Sequence, residues 1–337
     1  MTGAAPLNWA VVGTGFISRS IAEDLALIPQ ARRYAVCSRD AVRGAAFAEE
    51  LGFTRAVDRL DALLADPEVD VVYIATPHAT HAAIALAALD AGKHVLIEKP
   101  IAVSAAEAAT IATAAAARGR FAMEAMWMRF APAYRSLLAE VETDALGEVR
   151  SVRASFGLPF GAPDSDRWSA ERASSTLLDQ GIYPVTLALD VLGTPSRIDA
   201  TGTVRADGVD LAEHVTFEYP GGRFAQLGAS MVEYLEPSAS ISGTSGWATI
   251  PAPFWAASGW ELRAGSIGEA LTGARAEAYE RIGNGYVPML TAVGDAIGQG
   301  WTEHPLHTLA ASVEALEVLD RIRHSITTNT ATAREDS

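Results

Sequence analysis

Residues 7–125 alternate short apolar runs with Ala-rich stretches, and this alternation constrains the fold more than any other feature of the chain. The apolar runs lie at 9–12, 34–37, 69–75, 94–98 and 120–125, with a weaker one at 54–57. Helical candidates fill the gaps at 17–27, 41–51, 59–65, 79–91 and 105–117. Short strands that are apolar at nearly every position suit a sheet buried on both faces, and the intervening helices supply the cover. The expected fold class is α/β, with an N-terminal doubly wound parallel sheet. After Trp127 the texture changes to longer strand-like runs at 149–156, 197–204, 213–219 and 223–232, with Pro220-Gly221-Gly222 reading as a hairpin turn. A C-terminal α+β domain with a large, mainly antiparallel sheet is expected, so the division is residues 1–125 and 126–337. Residues 306–322 read as an amphipathic helix, and the chain beyond Thr327 as a frayed end.

A chain of 337 residues exceeds one ordinary hydrophobic core, which agrees with two domains. The net charge of -15 and the absence of a basic stripe argue against a nucleic-acid partner. A lone cysteine, Cys37, excludes an intrachain disulfide and fits a reducing compartment. The N-terminus lacks a basic flank and a long apolar run, and no stretch is long enough to span a bilayer. A cytoplasmic protein with no membrane partner is therefore expected. Of the 26 basic residues only Lys93 and Lys99 are lysines. Where this chain uses lysine, a compact ammonium is required rather than any positive charge.

The first strand runs into Gly13-Thr14-Gly15-Phe16-Ile17-Ser18. Glycines at that turn let the backbone approach a pyrophosphate at a helix N-terminus, which is the Rossmann arrangement for nicotinamide dinucleotides. Ser18 stands where a third glycine or alanine is usual. At the end of the second strand, where an NAD-binding domain commonly places Asp or Glu on the ribose 2'-hydroxyl, the chain reads Cys37-Ser38-Arg39. A hydroxyl followed by a guanidinium suits a 2'-phosphate, so NADP is favoured; Asp40 next door keeps NAD open.

Thr76-Pro77-His78 follows the fourth strand, His81 comes three residues later, and another strand ends in Glu98-Lys99-Pro100. Carboxyl ends of parallel strands are where such sheets place their ligands. The proline after Lys99 keeps that lysine out of helical geometry and aims its side chain.

With the Glu-Lys-Pro triplet, the Thr-Pro-x-x-x-His segment, the glycine turn and Asp179-Gln180-Gly181-Ile182-Tyr183, the chain resembles the Gfo/Idh/MocA oxidoreductase family along nearly its whole length. Glu124-Ala125-Met126-Trp127-Met128-Arg129-Phe130 and Tyr183 are similar to the dimeric dihydrodiol dehydrogenase and NADP-dependent xylose dehydrogenase branch. The resemblance implies that Lys99 and Tyr183 are catalytic and that Asp179 supports them. It places Glu98 by the nicotinamide ribose, with Thr76, Pro77, His78 and His81 also on the cofactor side. Trp127 would wall the substrate site, with Arg129 and Phe156 nominated by their nearness to these motifs. Two positions depart from many relatives, which carry His at the place of Tyr183 and Asn at that of His78. Ser174-Ser175-Thr176 replaces a stretch that is often glycine-rich in this branch.

Alcohol oxidation needs a base at the hydroxyl oxygen while nicotinamide faces the C–H bond. A free tyrosine, with a pKa of about 10, is too protonated for that, and a nearby ammonium stabilises the phenolate. The expected function is NADP-dependent oxidation or reduction of a small hydroxylated or carbonyl substrate, such as a sugar, polyol or dihydrodiol. The alternative is a regulator of the same fold that binds NADP without turnover. His304 and His307 lack a clear third ligand, so no metal is expected. A homo-oligomer, a dimer by analogy, is the expected assembly.

Overall fold

The computed structural model describes residues 6–160 and 168–335. The chain forms two compact units, Met1–Phe130 with Arg281–Val313, and Ala131–Glu280 with Glu314–Ser337. The segment beginning at Arg281 therefore belongs with the N-terminal unit, where sequence alone suggests a single boundary after residue 125.

In the first unit the order is β1 (Leu7–Val12), α1 (Phe16–Leu25), β2 (Ala31–Cys37), α2 (Ala41–Leu51), β3 (Arg55–Val57), α3 (Leu60–Leu64), β4 (Val71–Ile74), α4 (His81–Asp90), β5 (His94–Ile97), α5 (Ala105–Arg118) and β6 (Ala122–Glu124). The six strands pair in the order β3-β2-β1-β4-β5-β6, all parallel, which is the doubly wound sheet expected. Every residue of β4 is fully buried, as are Val95, Leu96 and Ile97 of β5. Their unbroken apolar character thus comes from cover on both faces of the sheet. The strand order reverses between β1 and β4, and at such a point the chain leaves a crevice at the carboxyl edge of the sheet.

Helix ends follow local chemistry. Asp40 caps α2, its carboxylate accepting from the Arg43 N–H at 2.9 Å, and Gly52 closes that helix in the left-handed conformation. Ser104 caps α5 by accepting from the Glu107 N–H. By contrast, α1 begins at Gly15 with no side-chain cap, leaving its first N–H groups for another partner.

The second unit contains α6 (Pro132–Glu142), β7 (Val149–Gly157), α7 (Ile182–Leu192), β8 (Arg197–Val204), β9 (Asp210–Tyr219), β10 (Arg223–Ser230), β11 (Ala239–Gly243), β12 (Gly246–Ile250), β13 (Gly259–Ala264), α8 (Ile267–Thr272) and β14 (Arg275–Ala278). Its eight-stranded sheet runs β14-β13-β12-β11-β7-β10-β9-β8, antiparallel except where β7 meets β10. The Pro220–Gly222 hairpin pairs Tyr219 with Arg223. On β9, Glu213, Val215, Phe217 and Tyr219 are buried while His214 and Glu218 are exposed, so one sheet face is covered and the other open. The last helix, Leu309–Glu335, runs past the expected end at 322 and through the stretch after Thr327 read as frayed.

The covered face holds one group of unusual cost. Glu213 is 1% exposed, and neither carboxylate oxygen has a hydrogen-bond partner among the described residues. Burial, with Asp210 beside it, pushes this carboxyl well above the ordinary value of 4.5, against the pull of Arg323. A folded-state pKa raised above the unfolded one favours folding fully only below the unfolded value, and the advantage fades as pH rises toward the folded one. Glu213→Gln should therefore gain stability relative to wild type as pH rises from about 5 to about 8. Thermal midpoints across that range check it, and parallel curves for the two proteins would contradict a neutral Glu213.

Candidate active site

The carboxyl edge of the parallel sheet gathers most of the residues singled out from sequence. Gly13, directly after β1, has φ of +112°, and an added Cβ would stand 2.4 Å from the Ala75 carbonyl oxygen that follows β4. Only glycine fits that close approach. An added Cβ at Gly15 would meet nothing within 4 Å. Phe16 is 77% exposed, unusual for a large apolar side chain at a helix start. Ser18, in place of the third small residue, is buried, and its hydroxyl has no partner among the described residues.

After β2, Ser38 and Arg39 part company. The Ser38 hydroxyl is buried without a partner among the described residues, and its Cβ packs toward Gly44 of α2. Arg39 is exposed. Asp40 already caps α2. Arg39 and Asp40 are thus both presented to solvent, with Asp40 Oδ1 engaged in the helix cap.

After β4, Thr76, Pro77 and His78 are all half-buried. The Thr80 hydroxyl donates to the Thr76 hydroxyl at 2.7 Å, and the His78 ring meets the His81 ring edge-on with centroids 5.7 Å apart. His81 itself is fully buried, with Nδ1 2.8 Å from the Pro100 carbonyl oxygen and Nε2 2.8 Å from that of Thr76. It braces the edge from within. After β5, Glu98 is held by the buried Tyr73 hydroxyl and by the Lys99 N–H, the latter at 3.2 Å, and Lys99 is half-buried.

The carboxylate that ends β6 enters the sequence reading only as the first residue of a motif, with no role of its own. Glu124, 1% exposed, accepts from the Ile101 N–H at 2.9 Å, His307 Nε2 at 2.9 Å and the Ser312 hydroxyl at 2.8 Å. Burial opposes its charge, but the bonds from His307, Ser312 and Ile101 outweigh burial and hold the carboxyl below its ordinary range. Arg129 in turn donates to His307 Nδ1 at 2.5 Å. Trp127 packs against Tyr286 at a centroid distance of 4.9 Å, with the Arg281 guanidinium 5.6 Å from its ring centroid. Fully buried Asp24 of α1 fixes that loop, accepting from the Asn284 and Tyr286 N–H groups at 2.7 and 2.8 Å.

In the second unit, Asp179 and Gln180 lie on a single π-helical turn, Leu177–Gly181, that leads into α7 and Tyr183. Such turns place side chains off the regular helical positions and are frequent at functional sites. Within Ser174-Ser175-Thr176, the hydroxyls of Ser175 and Thr176 have local work here. Ser175 Oγ accepts from the Leu178 N–H at 3.1 Å and Thr176 Oγ1 donates to the Asp210 carbonyl at 3.1 Å, while the Leu177 N–H reaches the Asp210 carboxylate at 2.7 Å. An added Cβ at Gly181 would stand 2.9 Å from Glu213 Oε1 and 3.0 Å from Leu177 Cδ1, so these side chains would have to shift. Tyr183, 4% exposed, has its ring 5.8 Å from Phe156 and 5.9 Å from Trp255, which stack on each other at 3.5 Å and 5°. Phe156 and Tyr183 are thus brought together. Trp255, on a single 3-10 turn from Phe254 to Ala256, has no local signal pointing to it.

No described group of three or more His, Cys, Asp or Glu side chains could hold a metal ion, and no described helix is long and apolar enough to cross a membrane.

Against known proteins, the GFO/IDH/MocA model described as an oxidoreductase family with an NAD-binding Rossmann fold matches residues 7–126, and the GFO/IDH/MocA C-terminal domain matches residues 134–249. Trans-1,2-dihydrobenzene-1,2-diol dehydrogenase from Sus scrofa is 35% identical over 326 residues, covering 95% of this chain and 97% of the relative. Among solved structures, a 3-ketoreductase from Actinomadura kijaniata in complex with NADP and TDP-benzene is 26% identical with a TM-score of 0.84, covering 95% of this chain and 98% of that one. A levoglucosan dehydrogenase in complex with NADH and levoglucosan shares the fold, with a TM-score of 0.86 at 22% identity over 96% of this chain and 98% of that one.

Proposed function

Because the chain belongs to the GFO/IDH/MocA family of oxidoreductases, we propose that it is a dehydrogenase that favours NADP and acts on a CH–OH group of a small sugar, polyol or dihydrodiol. One observation carries this reading. Gly13, Arg39, Thr76 and Lys99 follow four strands of a single parallel sheet at its carboxyl edge, with the order reversing between the strands that precede Gly13 and Thr76.

The residues present fit a dinucleotide. The open space over Gly15 and the uncapped start of α1 leave room and N–H donors for a diphosphate. Exposed Arg39 is a donor for a 2'-phosphate, and Asp40, engaged as a helix cap, is a poor candidate for a ribose hydroxyl. When bound, the nicotinamide would supply the hydride acceptor or donor. The chain supplies the proton chemistry. Tyr183 would exchange the proton with the substrate oxygen, and the Lys99 ammonium would favour the phenolate. Asp179 would orient that pair, Glu98 would meet the ribose, and Trp127, Arg129 and Phe156 would shape the substrate pocket. The homologous trans-dihydrodiol dehydrogenase makes a vicinal diol the first substrate to try. Assembly as a homodimer through the open face of the eight-stranded sheet, in the cytoplasm, completes the proposal.

Arg39→Asp tests the cofactor preference. Loss of a charge-assisted phosphate contact should weaken NADP binding by roughly 10- to 100-fold and improve NAD relative to it. Fluorescence titration with both dinucleotides measures this, and unchanged NADP affinity would remove Arg39 from the site.

A further inference from the structure

The segment that returns to the first unit, Arg281–Val313, docks on the last strand of the parallel sheet, where the Thr302 carbonyl accepts the Ala122 N–H at 3.1 Å. A tight turn follows. The His307 N–H donates to the His304 carbonyl at 3.0 Å, and the Glu303 carboxylate accepts the Leu309 N–H at 3.1 Å. This turn delivers the His307 ring, 2% exposed, to the Glu124 carboxylate. A guanidinium only donates, so the 2.5 Å contact from Arg129 makes His307 Nδ1 the acceptor and sets the ring N–H on Nε2, 2.9 Å from Glu124 Oε2. The Ser312 hydroxyl donates to the same oxygen at 2.8 Å. Glu124 is thus paired with His307 and, through that ring, with the Arg129 guanidinium.

With Oε2 held by His307 and Ser312, Oε1 accepts the Ile101 N–H at 2.9 Å. Ile101 stands two residues beyond Lys99. On the other side the Lys99 N–H donates to Glu98 Oε2 at 3.2 Å, and the buried Pro100 between them has its φ fixed by its ring. The backbone that carries Lys99 therefore runs between two carboxylates. The Pro100 carbonyl also meets His81 Nδ1, but burial holds that imidazole below its ordinary value, and a neutral ring has one N–H to share between the Pro100 and Thr76 carbonyls. The Ile101 N–H, whose acceptor is ionised, is the stronger anchor of this peptide. A buried charged chain is costly to desolvate, and apolar side chains of equal volume would stabilise the fold about as well. They would leave the Ile101 amide without its acceptor.

We propose that His307 is a positioning residue for Lys99: it fixes Glu124 so that the free oxygen of the carboxylate holds the Ile101 amide, and with it the backbone that carries the lysine. The consequence for the rate rests on the proposed role of Lys99; the placement of the lysine does not.

The chain has two lysines, so protein labelled with 13C-lysine gives two side-chain signals by NMR, that of Lys99 being the one lost in Lys99→Met. Lys93, at the other end of the same strand and bonded to the Asp66 carbonyl, is the internal control. His307→Leu should move the Lys99 signal, leave that of Lys93 in place, and lower turnover by up to about 100-fold, the cost of misplacing a reacting group by about 1 Å, with little change in NADP affinity. His307→Gln, whose amide N–H can stand in for that of Nε2, should return both readouts toward wild type. Glu124→Gln removes the charge at similar size, should also move Lys99, and serves in place of His307→Leu should that variant fail to fold. A Lys99 signal unmoved in these variants overturns the positioning role. So does equal movement of both lysines, which marks general loosening, or a Gln variant that behaves like Leu. Because the signals need no turnover, selective movement of Lys99 in a protein that oxidises nothing would sustain the positioning role and refute the dehydrogenase reading.

Discussion

Tyr183→Phe should lower turnover by about 100- to 10,000-fold, the range typical of removing a general acid or base. The substitution deletes one hydroxyl, and the ring keeps its neighbours Phe156 and Trp255 at 5.8 and 5.9 Å, so the helix start that carries it should remain in place. Cofactor affinity should change little, since the glycine turn belongs to the other unit. Lys99→Met, which removes a charge at similar length, should cause a loss of similar order. If both residues serve one proton transfer, the double variant should lose far less than the product of the single losses. Lys99→Arg should not fully restore the rate, because a planar guanidinium does not replace a compact ammonium. Steady-state rates and dinucleotide titrations on the four variants decide the matter. Near wild-type turnover in Tyr183→Phe would move the proton-transfer role to His78 or Asp179, because both ring nitrogens of His81 already face backbone carbonyls.

The second large effect concerns stability. Asp24→Ala strips the acceptor from the backbone N–H groups of Asn284 and Tyr286, the latter buried, while the Asn284 side-chain amide keeps the Ser20 carbonyl and the Glu23 carboxylate. Leaving the one buried donor, the Tyr286 N–H, unsatisfied costs about 1–3 kcal/mol, so a loss of at least that order is expected. The change should also loosen Tyr286 from Trp127, since the anchored N–H belongs to Tyr286 itself. Denaturant unfolding reads the stability and Trp fluorescence reads the contact. A variant within 0.5 kcal/mol of wild type, the usual spread of surface substitutions, would show that the loop does not depend on Asp24.

The parallel sheet was legible because strands covered on both faces leave runs such as Val71–Ile74 with no polar interruption, and because Gly13 and Lys99 sit directly after such runs. The four strands from Ala239 to Ala278 were not read, since Ala239–Gly243 and Arg275–Ala278 are short and rich in small or charged residues and take their pairing from neighbours. Return of Arg281–Val313 to the first unit depends on Asp24, Glu124 and residues more than 180 positions away. A local window contains no trace of that. The same holds for His81, read from its motif as a cofactor-side residue and found fully buried beneath the strand ends. Ser38 was chosen for its place beside Arg39, and sequence does not foretell that its hydroxyl is buried without a partner among the described residues while its Cβ packs toward Gly44 of α2. The one-turn π-helix before Tyr183 breaks the period of the sequence at the place where Asp179 and Gln180 are displayed.

The most direct measurement is the initial rate of the wild-type protein with NADP and with NAD against a panel of trans-dihydrodiols, aldoses and polyols, followed by nicotinamide absorbance. The account predicts reduction of the dinucleotide with at least one vicinal diol or aldose, faster at limiting cofactor with NADP than with NAD. Tight dinucleotide binding with no turnover of any panel member, or of the corresponding carbonyls in reverse, would contradict it and identify the protein as a nicotinamide-binding regulator.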